Sequence, residues 1–168
     1  MKSGRASFVS LVKHPFKFRI FLLKNLPSAY FSGVRITAID AKSCSVVVPY
    51  KWMSRNPFRS TYFACLSMAA EMSTGALAMS HIYQRNPPIS MLVVKVESEY
   101  FKKATGITTF TCHDGNEMLK AIEESIVDGE AKTFCCTSTG VNASGEIIAV
   151  FKITWSFKAK TKRENKSA

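Results

Sequence analysis

The chain has 168 residues, of which 46% are hydrophobic and 21% are charged, proportions that are typical of one globular domain and that exclude disorder over most of its length. The formal net charge of +11 comes from the two ends: residues 1–25 carry six Lys and Arg with no acid, and residues 151–168 carry six with one acid. Solvated ends that keep the protein soluble are the expectation, and an anion- or nucleic-acid-binding module that uses these ends is the alternative.

The five cysteines are odd in number and irregularly spaced, which predicts reduced thiols, a cytoplasmic location and no bound metal. The first residues lack the uninterrupted apolar core of a signal peptide. Residues 61–83 are long enough to cross a bilayer, but Glu71 near their middle favours a buried helix of a water-soluble protein. A membrane partner is therefore not expected, and neither is nucleic acid, because no basic-aromatic motif accompanies the positive charge.

The spacing of apolar residues predicts helices and strands in a mixed order without internal repeats. A helix over 15–25 is followed by strands over 34–40 and 44–50, a long helix from about residue 60 to Tyr83, strands over 89–104 and 107–114, a helix over 117–128, and strands over 131–141 and 146–158. We expect a single domain over 1–168, with a basic segment and helix (1–32), a core (33–158) and a basic, disordered tail (159–168).

The long helix is apolar or small almost throughout, and after Arg59 its one acidic group is Glu71. A lone carboxylate in such a helix costs several kcal/mol unless it is paired or hydrogen-bonded. Glu71 is therefore either a catalytic group or a structural carboxylate bonded to Ser67, Thr74 or a partner chain. Near the helix end, His81 is expected to be a partner of the helix dipole or a surface group.

Asn56 is followed by the step Tyr62-Phe63-Ala64, and Glu71 comes seven positions after Ala64. Residues 100–106 form a strand-end run that finishes in Gly, and residues 145–149 read Gly-Glu-Ile-Ile-Ala. The order and spacing of these motifs resemble those of hotdog-fold thioesterases of the phenylacetate-pathway type, in which a His-Gly-Gly step takes the place of Tyr62-Phe63-Ala64, an acidic residue is in register with Glu71, and a Gly-x-x-x-Ala strand closes the fold. The chain is most similar to a little-characterised, thioesterase-like branch of this superfamily.

The resemblance covers about residues 33–158, and it implies an α+β hotdog fold, in which a curved antiparallel sheet of about six strands wraps around the long central helix. It further implies hydrolysis of an acyl-CoA or acyl-carrier thioester at a homodimer interface, in a dimer or a dimer of dimers. Coenzyme A would be part of the substrate, and no separate cofactor or metal is implied.

Individual roles follow from the same resemblance. Glu71 would act as base or nucleophile, the first free N–H groups of the helix at Phe63 and Ala64 would face the carbonyl oxygen, and Asn56 would orient water or the loop. The residues expected to contact substrate are Tyr62, Ser67, Thr74, Arg55, Arg59, Lys102 and Lys103.

Two alternatives stay open at this stage. Phe63 and Ala64 replace glycines that let the backbone approach a substrate closely, so a non-catalytic acyl- or lipid-binding protein is the second candidate. The basic residues named above either contact coenzyme A phosphates or are simply exposed cations at the ends of a strand and a loop.

Overall fold

The computed structural model of the protein describes residues 2–160, and it confirms the predicted order of elements with two additional helices. Its elements are α1 (Lys2–Lys13), α2 (Pro15–Asn25), α3 (Pro27–Ser32), β1 (Arg35–Ile39), β2 (Cys44–Val48), a 3₁₀ turn (Trp52–Ser54), α4 (Phe63–Ile82), β3 (Ile89–Tyr100), β4 (Thr108–Cys112), α5 (Gly115–Asp128), β5 (Lys132–Val141) and β6 (Ile147–Ala159).

The two additional helices lie at the N-terminus. α1 packs against α4 and buries Phe8 and Val12, although charged and polar residues interrupt its apolar pattern in the sequence. α3 has six residues; it begins at Pro27 and ends at Ser32, and the next residue, Gly33, caps it with a φ of 78° that is accessible to glycine at little cost. Pro27 therefore both ends α2 and starts a further turn of helix.

The six strands form one antiparallel sheet in the order β1-β2-β4-β5-β6-β3. α4 packs across β1, β2, β4, β5 and β6, and α5 covers β5 and β6. This is the curved sheet around a long central helix that the sequence resemblance implies, and the predicted fold class is confirmed.

The helix α4 is buried on most sides, because 14 of its 20 residues are buried. Polar groups inside this packing are paired: Ser73 Oγ lies 2.7 Å from Ser138 Oγ, and the indole N–H of Trp155 donates to Thr74 Oγ1 at 2.9 Å. The N-terminal half of α4 keeps one side partly open. We call this side the open stripe; its residues are Ala64, Ser67, Met68 and Glu71.

The strand β3 is the edge of the sheet beyond β6, and it runs for 12 residues. Its other edge carries no partner strand within residues 2–160, and Leu92, Val94 and Val96 are exposed along it. A long apolar edge strand is a surface on which a further strand can pair.

The C-terminal boundary differs slightly from the predicted one. β6 continues through Ala159, so this residue belongs to the sheet and not to the predicted disordered tail. The backbone N–H of Lys160 donates to Pro88 O at 2.8 Å, which fastens the end of β6 beside the start of β3. Residues 161–168 of the predicted tail lie outside the described residues. Over residues 2–160, no helix combines the length and the hydropathy that a bilayer crossing requires.

Candidate functional site

An open cleft of about 820 Å³ lies at the start of α4. Its walls are the loop before α4, the first turn of α4 and the segment that follows β3. The backbone N–H and the hydroxyl of Thr61 both donate to Ala104 O, at 2.7 and 3.1 Å, and this ties the two walls together. The predicted site residues that line the cleft are Arg55, Asn56, Tyr62, Phe63, Lys102 and Lys103.

Asn56 organises the loop that forms one wall. Its side-chain oxygen accepts from the backbone N–H groups of Phe58 (3.0 Å) and Ser60 (3.2 Å), and its amide nitrogen donates to Ser60 Oγ at 3.2 Å. An Asn side chain that bonds to backbone N–H groups a few residues further on is a common way to fix a turn. Of the two predicted roles, the contacts of Asn56 match the one that orients the loop.

The start of α4 presents free backbone donors beside the cleft. The residue preceding the helix, Tyr62, makes no side-chain capping bond, and within residues 2–160 the N–H groups of Phe63 and Ala64 have no backbone acceptor. The positive end of the helix dipole is directed to the same place. The rings of Tyr62 and Phe63 pack edge to face, with centroids 4.9 Å apart, and both are exposed. Ala64 lies on the open stripe and does not line the cleft.

Glu71 lies at the inner end of the open stripe, where it is partly buried. Within residues 2–160 its carboxylate forms no hydrogen bond and no ion pair. Burial raises the pKa of this carboxyl above its ordinary value. A side chain at Gly75 would lie 3.0 Å from Glu71 Oε1 and 3.3 Å from the indole of Trp155, so the glycine leaves space where the carboxylate and the indole meet.

The two hydroxyls proposed as structural partners of Glu71 are engaged elsewhere. Ser67 Oγ donates to the backbone oxygen of Phe63 at 3.0 Å. Thr74 Oγ1 donates to the backbone oxygen of Glu71 at 3.0 Å, and it accepts from Trp155. Thr74 is fully buried, so its hydroxyl is committed to packing between helix and sheet, away from the cleft. A structural partner for the Glu71 carboxylate would therefore have to come from outside residues 2–160.

The predicted catalytic residues thus fall into two places in one protomer. Glu71 does not line the cleft, and it follows Phe63 by eight residues. At 1.5 Å per residue this separation is about 12 Å along the helix. The free N–H groups of the helix start and the carboxylate of the same α4 therefore lie in separate places of one protomer.

Basic side chains surround the cleft. Lys102 forms an ion pair with Glu146, and Lys102 together with Asn142 lowers the pKa of the Glu146 carboxyl. Lys103 and Arg55 form no ion pair within residues 2–160. Arg59 is exposed in the same loop but does not line the cleft. Lys103 and Arg55 are therefore the cations best placed to meet an anionic group in the cleft.

A second cleft, of about 760 Å³, lies at the other end of α4 and is lined by Arg5, His81 and Arg85. His81 is buried, so the expectation of a surface group is wrong. Arg5 donates to His81 Nδ1, and burial together with Arg5 and Arg85 lowers the pKa of the imidazole to about 4. The contact between Arg5 and His81 depends on α1. Because the sequence did not predict α1, it could not predict this contact either.

One group of side chains in residues 2–160 has a spacing suitable for a metal ion. The ligand atoms of Cys112, Asp114 and Cys136 lie within 4.8 Å of one another. Cys112 Sγ donates to Asp114 Oδ2 at 3.7 Å, and this oxygen also accepts from Thr137 N at 2.7 Å, so the group is hydrogen-bonded internally. The register of β4 and β5 brings it together, which cysteine spacing alone does not reveal.

Comparison with known proteins places the chain in a family. The family described as a domain of unknown function, DUF4442, matches residues 18–157. The chain belongs to the DUF4442 family. No curated protein matches this DUF4442 sequence.

Solved structures share the architecture at low sequence identity. A probable thioesterase of unknown function from Pseudomonas aeruginosa superimposes with a TM-score of 0.74 at 16% identity, over 87% of this chain and 97% of that chain. A protein of unknown function from Chlorobaculum tepidum gives 0.72 at 16% identity, over 86% and 93% of the two chains. A thioesterase from Haemophilus influenzae gives 0.61 at 9% identity, over 85% and 91%. These similarities establish the fold of the DUF4442 chain as that of hotdog proteins, and the superfamily prediction is confirmed at the level of fold.

Proposed function

We propose that the protein is a thioester hydrolase that acts on acyl-CoA or acyl-carrier substrates, with Glu71 as its catalytic carboxylate. The observation that carries this proposal is the state of Glu71. The carboxylate is half-buried, it has a raised pKa, it forms no hydrogen bond or ion pair within residues 2–160, and it lies at the end of a partly open helix side. Burying an unpaired carboxylate costs folding free energy, and groups that carry such a cost are concentrated at functional sites.

The proposed chemistry is general-base hydrolysis. Ionised Glu71 takes a proton from a water molecule, and the water oxygen adds to the thioester carbonyl carbon. The charge that develops on the carbonyl oxygen is stabilised by the free N–H groups at the start of an α4 helix. The C–S bond then breaks, the carboxylic acid forms, and protonated Glu71 returns its proton to the leaving thiolate. The raised pKa supports both halves of this cycle, since the carboxyl must accept and release a proton.

The helix start in this scheme belongs to a second protomer. Because Glu71 lies about 12 Å along α4 from its own helix start, we assign the two halves of the site to different chains of a homodimer or of a dimer of dimers. The exposed edge of β3, with Leu92, Val94 and Val96, supports pairing of two such edges. This arrangement would cover the apolar edge and bring in the missing donors.

The positive charges in the cleft are the basis for proposing which carrier holds the acyl group. Lys103 and Arg55 line the cleft and have no acidic partner within residues 2–160, and together they favour the phosphate groups of coenzyme A. An acyl carrier protein offers a phosphopantetheine group with one phosphate and an acidic surface, and it is the other substrate class considered. A cytoplasmic location, expected from the cysteine pattern, completes the proposal.

Hydrolysis of an acyl-CoA series by wild type, Glu71→Gln and Glu124→Gln tests the proposal. Glu124 is an exposed acid on α5, so its substitution controls for the loss of one negative charge. We expect wild type and Glu124→Gln to hydrolyse at least one chain length, and Glu71→Gln to lose about 100-fold or more in kcat. Full activity of Glu71→Gln, or no activity of wild type on any substrate, would refute the proposal.

The exposed rings at the helix start favour one second candidate, a non-catalytic acyl-binding protein. Tyr62 and Phe63 stand where the resembling thioesterases carry His and Gly, and their side chains lie beside the free N–H groups. Calorimetry with a non-hydrolysable acyl-CoA thioether separates the candidates. Tight binding together with no turnover of the matching thioester would favour the second.

A further inference from the structure

The helix α2 is apolar on two opposite sides. Phe18 and Leu22 are buried against the body of the protein. Phe16, Ile20 and Leu23 recur at i, i+4 and i+7 on the opposite side, and they are 70%, 40% and 43% exposed. We call this second row the outer face of α2. An open apolar row on a helix whose other apolar row is already buried is a surface for a further contact.

Cations flank the outer face of α2. By helical geometry Lys17 and Lys24 lie on one side of the row and Arg19 lies on the other. Arg19 stacks on Tyr30 at 3.9 Å from the ring centroid, while Lys17 and Lys24 are exposed and form no ion pair in the described part of the chain. Residues 1–25 contain six Lys and Arg and no acid, so no internal acidic partner is available nearby in sequence.

A second copy of the chain, joined as proposed above, would not cover this face. α2 lies beside β1, with a small cavity between them lined by Phe18, Arg19 and residues 35–39. β1 is one end of the sheet and β3 is the other. A dimer formed through β3 therefore leaves the outer face of α2 open at each far end.

We propose that the outer face of α2 binds the surface of an anionic lipid membrane. An apolar row that carries Phe, Ile and Leu between rows of cations is the pattern of a helix that lies in the plane of a membrane interface. The cations attract acidic headgroups, and the apolar row enters the boundary of the acyl chains. The row of Phe, Ile and Leu favours lipid over nucleic acid, because phosphate contacts alone need no such row.

Flotation with vesicles tests the proposal on the full-length protein. Vesicles of phosphatidylcholine with about 30% phosphatidylglycerol should bind wild type at low salt, pure phosphatidylcholine vesicles should bind far less, and added salt should release the protein. The variant Phe16→Ser/Ile20→Ser/Leu23→Ser should partition about 10- to 100-fold less. The matched control is Val127→Ser, which removes an exposed apolar side chain on α5 and should bind like wild type.

A charge series gives an independent measurement. Reversal of Lys17 and Lys24 to Glu should weaken partitioning at least about 10-fold, whereas reversal of two exposed lysines elsewhere should weaken it much less. This control set, with the same change in net charge, is Lys152 and Lys158 on β6. Because all four side chains are exposed, these variants are expected to fold.

Several outcomes would overturn the proposal. Failure of wild type to bind anionic vesicles at low salt would do so, as would equal loss in the two charge sets. A lower oligomeric mass of the Phe16→Ser/Ile20→Ser/Leu23→Ser variant in light scattering would identify the outer face of α2 as a contact between copies. Binding of a duplex oligonucleotide in place of vesicles would assign the cations to nucleic acid. None of these results depends on turnover, so the proposal stands or falls separately from the thioesterase proposal.

Discussion

Replacing Glu71 by Gln should make the protein more stable at neutral pH. Burial raises the pKa of the Glu71 carboxyl above its reference value of 4.5, so the folded state prefers the protonated form more than the unfolded state does. The contribution of this group to stability is complete below the unfolded pKa. It is lost progressively as the pH rises from the unfolded pKa through the folded pKa. Gln keeps a similar shape but cannot ionise, and it avoids this loss.

The size of the effect follows from linkage. Each pKa unit by which folding raises the Glu71 value costs about 1.4 kcal/mol once the pH exceeds the folded pKa. In a chain of 168 residues, 1 kcal/mol corresponds to about 2–4 °C in Tm. For each such pKa unit, Glu71→Gln should therefore gain about 3–5 °C over wild type when the pH is raised from about 4 to about 8. Burial of the amide itself is present at both pH values and cancels in this comparison.

Thermal unfolding of wild type, Glu71→Gln and Glu124→Gln across this pH range is the assay. Glu124 is exposed, so its variant should follow the wild-type curve. A loss of Tm in Glu71→Gln that grows with pH would refute the reasoning. It would mean that the carboxylate is stabilised by a cation or donor from outside residues 2–160, and it would favour the structural interpretation of Glu71 over the catalytic one.

Three further predictions concern packing, pH and the carrier. Gly140→Ala should lower the free energy of unfolding in urea by about 1–3 kcal/mol, because a Cβ there would overlap the buried ring of Phe110. The control Gly106→Ala has no atom within 4 Å of its added Cβ, and it should leave this free energy unchanged or raise it by up to about 1 kcal/mol. The buried His81 resists protonation, so wild-type stability should fall as the pH drops from about 6.5 to about 4, and His81→Gln should remove this part of the pH dependence; an unchanged slope would contradict the assignment. If the protein is an acyl-CoA hydrolase, Lys103→Ala should raise KM about 5- to 10-fold for acyl-CoA but leave acyl-pantetheine unchanged, since only the former carries the nucleotide phosphates; an equal rise in KM for both substrates would place Lys103 away from the phosphates.

The sequence predicts the sheet and the long helix because these elements have simple periodicities. The strands alternate or form short apolar runs between turn residues, and α4 is apolar over almost six turns. α1 and α3 were missed for identifiable reasons. Charged and polar residues break the apolar spacing of α1. α3 has only six residues, which start with Pro27 and are followed by Gly33, and a short segment bounded in this way is equally typical of a turn.

The candidate site was predictable in its residue types but not in its geometry. Glu71 is evident in the sequence because it is the only acid on an apolar helix. Its position on the open stripe agrees with the prediction that this acid is a candidate site residue. Two contacts join residues that are far apart in sequence and could not be predicted from it. They are the hydrogen bond from Trp155 to Thr74 and the ion pair of Lys102 with Glu146. The same holds for the cluster of Cys112, Asp114 and Cys136, which strand register alone creates.

A site that is shared between chains links three features of the molecule that are otherwise separate. The free N–H groups at Phe63, the unpaired carboxylate of Glu71 and the uncovered edge of β3 each lack a partner within residues 2–160. If two β3 edges pair, a single association can supply the missing partner for all three features. Each of the two equivalent sites would then combine the helix start of one chain with the Glu71 carboxylate of the other. Introduction of positive charge on the edge, as in Leu92→Lys/Val96→Lys, should then halve the molecular mass in light scattering and abolish hydrolysis together. Monomers that retain full activity would contradict the shared site, because they would have to use two groups whose residues lie about 12 Å apart along one α4.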